Sequence, residues 1–366
     1  MDTLQVNYNN KPCYEIVFDT SFDELSNKIS ELGFEKRKIA IITDSNVEGL
    51  YAETLKKELS KITENIIVYS IPAGEENKNL KEIEKIYEKL IENHFDRHDL
   101  IVALGGGVVG DMAGFTAATY LRGVAFIQVP TTLLAQTDSS IGGKTGVDFD
   151  SYKNMVGAFY MPRLVYMNVK VLDTLSDRQY FSGFAEVMKH GLIKDASFYE
   201  WLIENMYEIC EKDADILMEM IKRSCEIKKA VVEKDPTEKG DRALLNFGHT
   251  LGHAIEKAKN FELTHGECVA LGCVAAAFIS WKKELISMDE YYEIRDMFVP
   301  FYLPISVEDL DPSKVIELTK SDKKADSDKI RFILLKKIGK AIVDTTVTEE
   351  EMMAALNEII YIENND

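Results

Sequence analysis

Three of the six histidines fall within seventeen residues, and their spacing could hold a divalent metal. His249 and His253 are four residues apart, so on a helix they share one face. His265 lies in Thr264-His265-Gly266-Glu267, which matches a capping box and predicts the start of the next helix. A hairpin of two helices would then bring His265 near His249. Two neutral imidazoles and one carboxylate form a common catalytic metal site.

Glu186 is the best candidate for the carboxylate. It lies in the apolar helical stretch 183–189, where a buried glutamate needs a partner. The alternative for each histidine is a hydrogen-bonded structural role. Among the cysteines, Cys268 and Cys273 lie in an apolar helical pattern and are expected in the core.

A glycine-rich motif at residues 105–111 could bind a phosphate. It reads Gly-Gly-Gly-Val-Val-Gly-Asp, satisfies G-x-G-x-x-G and follows an apolar strand. Glycines allow a tight turn, and the free N–H groups of a following helix would face the phosphate. It differs from the ordinary dinucleotide fingerprint because it follows the third predicted strand and has no acid about 20 residues on. A glycine turn without a ligand is the alternative.

A second polar, glycine-rich loop covers residues 136–145. Asp138 stands where a P-loop needs glycine, so that interpretation is rejected. The loop suits an anionic small molecule, with a solvated surface loop as the alternative. Convergence of several cations would favour phosphate or carboxylate binding, whereas scattered cations would be ordinary surface charges. The candidates are Lys144, Lys153, Lys189, Lys228 and Arg242.

The elements that must position these residues change in kind along the chain. Strands alternate with helices in the first part, which predicts a parallel sheet covered on both faces. Helices follow one another in the second part. We expect an α/β N-terminal Rossmann-like nucleotide-binding domain over 1–173 and a mainly α-helical C-terminal domain over 174–366, with the site in the cleft between them. The predicted strands are 38–43, 66–71, 100–104, 124–129, 330–335 and 341–345, and the predicted helices are 48–59, 80–93, 182–193, 196–205, 214–233, 242–259, 267–283 and 289–298.

Composition limits the class of protein. The 366 residues fit two domains, and a net charge of −19 argues against nucleic-acid binding. The five cysteines include no Cys-x-x-Cys pair, which favours free thiols in a reducing cytoplasm. No signal peptide is visible, and no apolar run is long enough to predict a membrane helix.

Taken together, these segments resemble the 3-dehydroquinate synthase family of the sugar phosphate cyclase superfamily. The resemblance follows the chain in order and covers essentially all of it. The matching stretches are 72–78, 105–111, 122–124, 130–132, 138–148, 153–154, 185–189, 245–256, 265–267 and 322–324.

The resemblance implies the ligands and the residues that bind them. NAD would meet Asp44, Glu75, Lys78, Gly105, Gly106, Gly107, Asp111, Thr131, Thr132, Lys153 and Thr174. A divalent metal, zinc or cobalt, would be held by Glu186, His249 and His265. The substrate would be a phosphorylated keto acid, 3-deoxy-D-arabino-heptulosonate 7-phosphate. It would meet Arg122, Asp138, Lys144, Asn154, Lys189, Lys228, Arg242, Asn246 and one of Lys323 and Lys324.

The resemblance also implies the chemistry. His253 would transfer protons, Glu238 would supply a second acid or base, and catalysis would also use Lys144, Lys189 and Asn246. A ring hydroxyl would be oxidised by NAD, phosphate lost, the ketone reduced again, the ring opened, and the product closed by an intramolecular aldol step. NAD would thus be restored in each turnover, and a homodimer is expected.

Two positions depart from the family pattern, and three other interpretations remain. Pro236 replaces an acid that the family usually has, and Ser182 replaces an asparagine found in many members. The competing interpretations are a cyclase for another sugar phosphate, a metal-dependent polyol or alcohol dehydrogenase, and a non-catalytic NAD-binding scaffold.

Overall fold

The structure, a computed structural model, describes residues 1–150, 152–238, 240–321 and 330–361. They form two compact units: Met1–Leu175 with Lys228–Pro236, and Ser176–Ile227 with Thr237–Asp366. The boundary expected after residue 173 lies close to the break at Leu175. The sequence does not predict that residues 228–236 belong to the first unit.

The first unit is built on a seven-stranded sheet. Its strand order is β1-β2-β9-β6-β5-β3-β4, and every neighbouring pair is parallel except β1 with β2. The strands are β1 (Asp2–Tyr8), β2 (Lys11–Asp19), β3 (Ile39–Asp44), β4 (Ile66–Ile71), β5 (Leu100–Gly105), β6 (Ala125–Pro130) and β9 (Leu164–Asn168), and a separate antiparallel hairpin consists of β7 (Lys144–Phe149) and β8 (Tyr152–Phe159).

Helices cover both faces of this sheet. They are α1 (Leu25–Glu31), α2 (Glu53–Leu59), α3 (Leu80–Glu92) and α4 (Gly107–Thr119), with π-helical turns at Glu48–Ala52 and Ala135–Ser139 and 3-10 turns at Glu75–Asn77, Tyr120–Arg122 and Val169–Thr174. Successive residues of β3 enter two separate apolar clusters, Ala40 and Ile42 in one and Ile39 and Ile41 in the other. A central strand that is apolar on both faces is typical of a covered parallel sheet.

The second unit is mainly helical. Its helices are α5 (Asp177–Lys194), α6 (Ala196–Glu204), α7 (Met206–Cys210), most of α8 (Ala214–Lys234), α9 (His249–Ala258), α10 (His265–Lys282), α11 (Met288–Asp296), α12 (Pro312–Ser321) and α13 (Glu349–Ile359). It also has 3-10 turns at Asp241–Asn246 and Val299–Phe301 and a hairpin of β10 (Phe332–Lys337) and β11 (Lys340–Asp344). Helix α10 contacts α5, α9 and α13, and Cys268 and Cys273 lie buried in it, as expected. Within the described part of the chain, no helix has both the length and the apolar character needed to cross a bilayer.

The helix predicted over 242–259 is wrong in its first part. A 3-10 turn covers Asp241–Asn246, and α9 begins only at His249. Gly248 interrupts the helix with a φ of 78°, and a Cβ atom on it would lie 2.6 Å from the Cys273 Sγ atom. Because Gly248 is left-handed and packs against α10, the preceding turn ends there and α9 begins at His249.

The glycine motif also follows a different strand from the one expected. It comes after β5, the fifth strand of the chain, and not after the third. Strands β1, β2, β7, β8 and β9 are missing from the sequence prediction. Buried apolar runs in β2 and β9 are signals that it overlooks, Ile16-Val17-Phe18 and Leu164-Val165-Tyr166-Met167.

Candidate functional site

Three helices of the second unit bring the predicted metal ligands together. Glu186 lies in α5 and is 1% exposed, while His249 and His265 are the first residues of α9 and α10. The predicted capping box is present: the Thr264 side chain accepts from the Glu267 N–H, and the Glu267 carboxylate accepts from the Thr264 N–H. Each histidine is thus held at the start of a helix.

The distances between these groups suit ligands of one ion. The Nε2 atoms of His249 and His265 lie 3.4 and 3.5 Å from the same Glu186 oxygen, Oε1. Two ligands of one tetrahedral zinc ion stand about 3.3–3.4 Å apart, as bonds of about 2.0–2.1 Å require. Among the described residues, neither Glu186 oxygen has a hydrogen-bond partner of good geometry. A buried carboxylate whose hydrogen bonds are incomplete suits a metal ligand.

The tautomer of His249 also suits a metal ligand. Its Nδ1 atom lies 3.0 Å from the Phe247 carbonyl oxygen. A carbonyl can only accept, so Nδ1 carries the proton and the Nε2 lone pair faces Glu186.

His253 lies beside these ligands. Its ring centroid is 4.9 Å from that of His249 and 5.8 Å from that of His265. Ring nitrogens of all three histidines lie within 4.8 Å of one another. The geometry therefore also permits a group of three histidines, and the proton-transfer role of His253 stays a prediction.

The charges around Glu186 shift its pKa and those of both histidines. Burial raises the pKa of Glu186, but Lys189, which is in ionic contact with it, and the two histidines hold it well below its usual range. Burial lowers the pKa of His249, and Lys189 lowers it further. Burial alone would also lower the pKa of His265, yet the Glu186 and Glu256 carboxylates raise it to about 9. Without a metal, His265 is therefore a second cation beside Glu186, in addition to Lys189.

The second acid/base candidate is also held in this unit. The Asn246 amide donates to a Glu238 carboxylate oxygen at 3.0 Å. Arg242, in the same turn as Asn246, is 2% exposed. Lys189 of the same unit and Lys228 of the first unit are also buried, so these three cations are not surface charges.

In the first unit, the glycine motif joins β5 to α4. Gly106 caps the helix and Gly107 begins it. A Cβ atom on Gly105 would lie 2.6 Å from the Val109 side chain, and one on Gly106 would lie 3.1 Å from Thr132. The Thr131 N–H donates to the Gly105 carbonyl at 3.0 Å. Glycine here allows close backbone approach at a helix N-terminus, which is where phosphates bind.

A buried lysine gathers several of the predicted ligand residues, and we call this group the Lys78 cluster: Glu75, Lys78, Asp111, Lys153 and Asn154. The Lys78 ammonium lies 2.7 Å from the Asp111 carboxylate and 2.6 Å from the Asn154 side-chain oxygen. Glu75 is 3.9 Å from Lys78 and 3.7 Å from Lys153. Burial lowers the pKa of Lys78, but the carboxylates of Asp111, Glu75 and Asp148 together outweigh it, so the pKa of the lysine is raised. Burial raises the pKa of Asp111 against the opposing effect of Lys78.

Other predicted residues of this unit occupy separate positions. Lys228 donates to the Asp138 carbonyl oxygen at 2.7 Å and pairs with its carboxylate. At the end of β3, Asp44 accepts N–H groups from Asn46 and Val47. The Thr174 hydroxyl hydrogen-bonds to that of Tyr51 at 2.5 Å.

Two predicted substrate residues of this unit, Lys144 and Arg122, are exposed. Lys144 is an exposed residue at the start of β7, and its neighbour Thr145 packs against the middle of α4, at Gly114. Arg122 is also exposed and follows the far end of α4, a helix about 20 Å long. Lys323 and Lys324 lie outside the described residues.

Comparison with known proteins gives sequence matches over most of the chain. The sequence profile "3-dehydroquinate synthase N-terminal" matches residues 68–182, and "3-dehydroquinate synthase C-terminal" matches 183–325. A 3-dehydroquinate synthase from Acetivibrio thermocellus is 44% identical over 96% of this chain and 98% of its own length.

Two solved structures share the fold across almost the whole chain. One is 2-deoxy-scyllo-inosose synthase complexed with carbaglucose-6-phosphate, NAD+ and Co2+ (27% identity, TM-score 0.87, 98% of this chain and 100% of that one). The other is 2-epi-5-epi-valiolone synthase from Streptomyces hygroscopicus with NAD+ and Zn2+ bound (25% identity, TM-score 0.88, 97% of this chain and 99% of that one).

The fold and the ligand cluster therefore define a protein of the sugar phosphate cyclase type. Within that type, the chain belongs to the 3-dehydroquinate synthase family.

Proposed function

We propose that this protein converts 3-deoxy-D-arabino-heptulosonate 7-phosphate to 3-dehydroquinate and phosphate, as a phosphorus–oxygen lyase of the shikimate pathway. The relatives that match nearly the whole chain carry this name. The observation that carries the proposal is the buried Glu186 carboxylate, with two imidazole nitrogens at 3.4 and 3.5 Å and a lysine against it.

Glu186, His249 and His265 would hold a divalent metal, zinc or cobalt, as found in the two solved relatives. The bound ion would supply Lewis acidity that polarises a substrate hydroxyl and later a carbonyl. The Phe247 carbonyl fixes the His249 tautomer. The buried ammonium of Lys189 offsets the Glu186 charge and offers a cation to an anionic substrate.

NAD would bind to the first unit, at the glycine turn and the Lys78 cluster. Its chemistry there would be reversible hydride transfer with the ring carbon that bears a hydroxyl, so it would not be consumed. The free N–H groups at the start of α4 suit its pyrophosphate. Lys78 and Glu75 hold Asp111 and Lys153 in place through ion pairs. Asp44, Thr131, Thr132 and Thr174 complete the proposed set.

Protons would be moved by His253 and Glu238. The Asn246 amide fixes the direction of the Glu238 carboxylate, which favours a defined proton position. The buried Arg242 and the Asp138–Lys228 pair would bind the substrate's polar and anionic groups. Lys144 and Asn154, together with Lys323 or Lys324, complete the proposed substrate contacts.

We further propose a cytoplasmic homodimer. The β7–β8 hairpin exposes four large apolar side chains, Phe149, Tyr152, Met155 and Phe159, a pattern typical of an interface. Arg122 lies at the opposite end of α4 from the glycine turn. An Arg122 side chain that binds substrate would therefore act on the site of a second copy.

The test is to mix the pure protein with NAD, zinc or cobalt and the heptulosonate phosphate, and to measure phosphate release. We expect phosphate and 3-dehydroquinate in equal amounts without NADH accumulation. Absence of phosphate release with metal added would overturn the proposal. Turnover of a six-carbon sugar phosphate instead would identify another cyclase, and steady NADH formation from glycerol or a simple alcohol would identify a dehydrogenase.

A further inference from the structure

Helix α5 presents three side chains to the start of α10. Arg178, Ser182 and Glu186 are spaced four residues apart, so they share one face of the helix. They meet Glu267, Gly266 and His265 respectively. The innermost contact joins two of the proposed metal ligands, and the other two contacts lie one and two turns along the same helix.

The middle contact brings the two backbones together. The Gly266 N–H donates to the Ser182 hydroxyl at 3.0 Å. A Cβ atom on Gly266 would lie 1.9 Å from the Ser182 carbonyl oxygen and 2.5 Å from its Cα atom. These are backbone atoms inside a helix, and they cannot move aside as a side chain would. Only glycine therefore allows α10 to begin this close to α5.

The outer contact holds the helix cap. The Arg178 guanidinium donates from Nε and Nη2 to the two Glu267 carboxylate oxygens, each at 2.8 Å. The same carboxylate accepts the Thr264 N–H at 2.6 Å, and Nη2 also donates to the Glu262 carbonyl at 3.0 Å. A two-point arginine pair fixes orientation as well as distance. The turn that precedes His265 is therefore attached to α5 on both sides of the cap.

We propose that Arg178 and Ser182 are positioning residues for the metal: by docking the first turn of α10 on α5, they set the separation of the Glu186 and His265 ligand atoms. This inference rests on the proposed function, in which Glu186 and His265 bind the metal ion. The docking is made by backbone contact and a two-point ion pair, neither of which includes the metal. The short Ser182 side chain suits the close approach of Gly266.

The test measures zinc affinity by chelator competition and the visible absorption of the cobalt-loaded protein, well below the unfolding temperature. The variants are Ser182→Ala, Gly266→Ala and Arg178→Lys. Ser287→Ala is the matched control, because Ser287 and Glu290 form the same capping box at the start of α11, a helix that holds no proposed ligand. We expect a loss of zinc affinity of about 10- to 100-fold in Ser182→Ala and Gly266→Ala. A smaller loss of zinc affinity is expected in Arg178→Lys, because lysine keeps the positive charge but cannot form the two parallel hydrogen bonds to Glu267.

The control should lower thermal stability and leave zinc affinity and the cobalt spectrum unchanged. Variants that lose stability like the control but keep wild-type affinity and spectrum would overturn the proposal. If Gly266→Ala does not fold, Arg178→Lys decides the question, because it changes only an exposed side chain. A wild-type protein that binds no zinc would overturn the proposed function as well, whereas normal zinc binding in all variants overturns only the positioning role.

Discussion

Metal binding should release one proton at neutral pH, and His265 is its source. The metal-free pKa of His265 is raised to about 9 because the Glu186 and Glu256 carboxylates outweigh its burial. The pKa values of Glu186 and His249 are both held low, so these two groups are already in the form that binds metal. Only His265 must lose a proton to become a ligand.

The pKa gives the size and the sign of the effect. Below pH 9 the metal-free site is protonated, so the apparent zinc affinity is lost as pH falls. Each pH unit costs a factor of about ten, or about 1.4 kcal/mol. About 30% of the His265 side chain is exposed, and solvent weakens the influence of the carboxylates on such a group. The prediction therefore concerns how steeply the apparent zinc affinity changes with pH between about 6.5 and 8. It does not concern the pH above which the affinity becomes constant.

Calorimetry in two buffers of different ionisation enthalpy would count the protons at pH 7, and competition with a chelator of known pH dependence would give the slope. Glu256→Gln supplies the internal test. Its carboxylate lies 3.9 Å from the His265 Nδ1 atom, so the change should lower the pKa of His265 and reduce the proton count. An affinity that does not vary with pH in the wild-type protein would refute this reasoning.

Three further predictions concern the first unit. Replacing Lys78 by Met removes the partner of the largely buried Asp111 and should lower the free energy of unfolding in urea by about 3–5 kcal/mol; adding Asp111→Asn should recover most of the loss, and failure to recover would contradict the pairing. Gly105→Ala places a Cβ atom 2.6 Å from a valine side chain and should cost about 1–3 kcal/mol by the same measurement, whereas Gly49→Ala, in open space, should cost nothing. Met155→Lys should shift the protein from dimer to monomer in sedimentation velocity, and an unchanged dimer would place the interface elsewhere.

Short sequence patterns predict the helices and strands that bury one or both of their faces. The strand expected at 66–71 has those bounds in the structure, and the helix expected over 80–93 ends one residue earlier. The capping box at Thr264 forms as the sequence indicates. In each case the signal lies within a few consecutive residues, which is the range over which hydrophobic period and caps act.

Some elements are missed although the sequence carries their signal, and others because that signal is weak or long-range. The turn between β1 and β2 uses Asn9 and Asn10, both with positive φ, which is a hairpin signal that sequence can carry. Strand β8 is exposed along much of its length, so no apolar pattern marks it. The break before α9 depends on Cys273, which is 25 residues from Gly248, and local propensity does not contain such a contact.

The candidate site also has some features with a local sequence signal and others that depend on long-range contacts. The histidine spacing and the apolar surroundings of Glu186 are local features of the sequence, and they are enough to indicate a metal cluster. The contacts of Arg178 and Ser182 with α10 cannot be predicted in this way. Their only local signal is the spacing of four residues that leads to Glu186, because the partners on α10 are more than 80 residues away.

The assignment of residues 228–236 to the first unit bears on how the protein can be divided. A fragment that stops at residue 173 lacks Lys228 and also Glu233, which accepts from the Asn7 backbone and side chain at 2.7 and 2.9 Å. Such a fragment would leave Asp138 without its cation. Separate production of the two halves should therefore give an incomplete nucleotide-binding half, and a synthetic peptide of α8 would be needed to complement it.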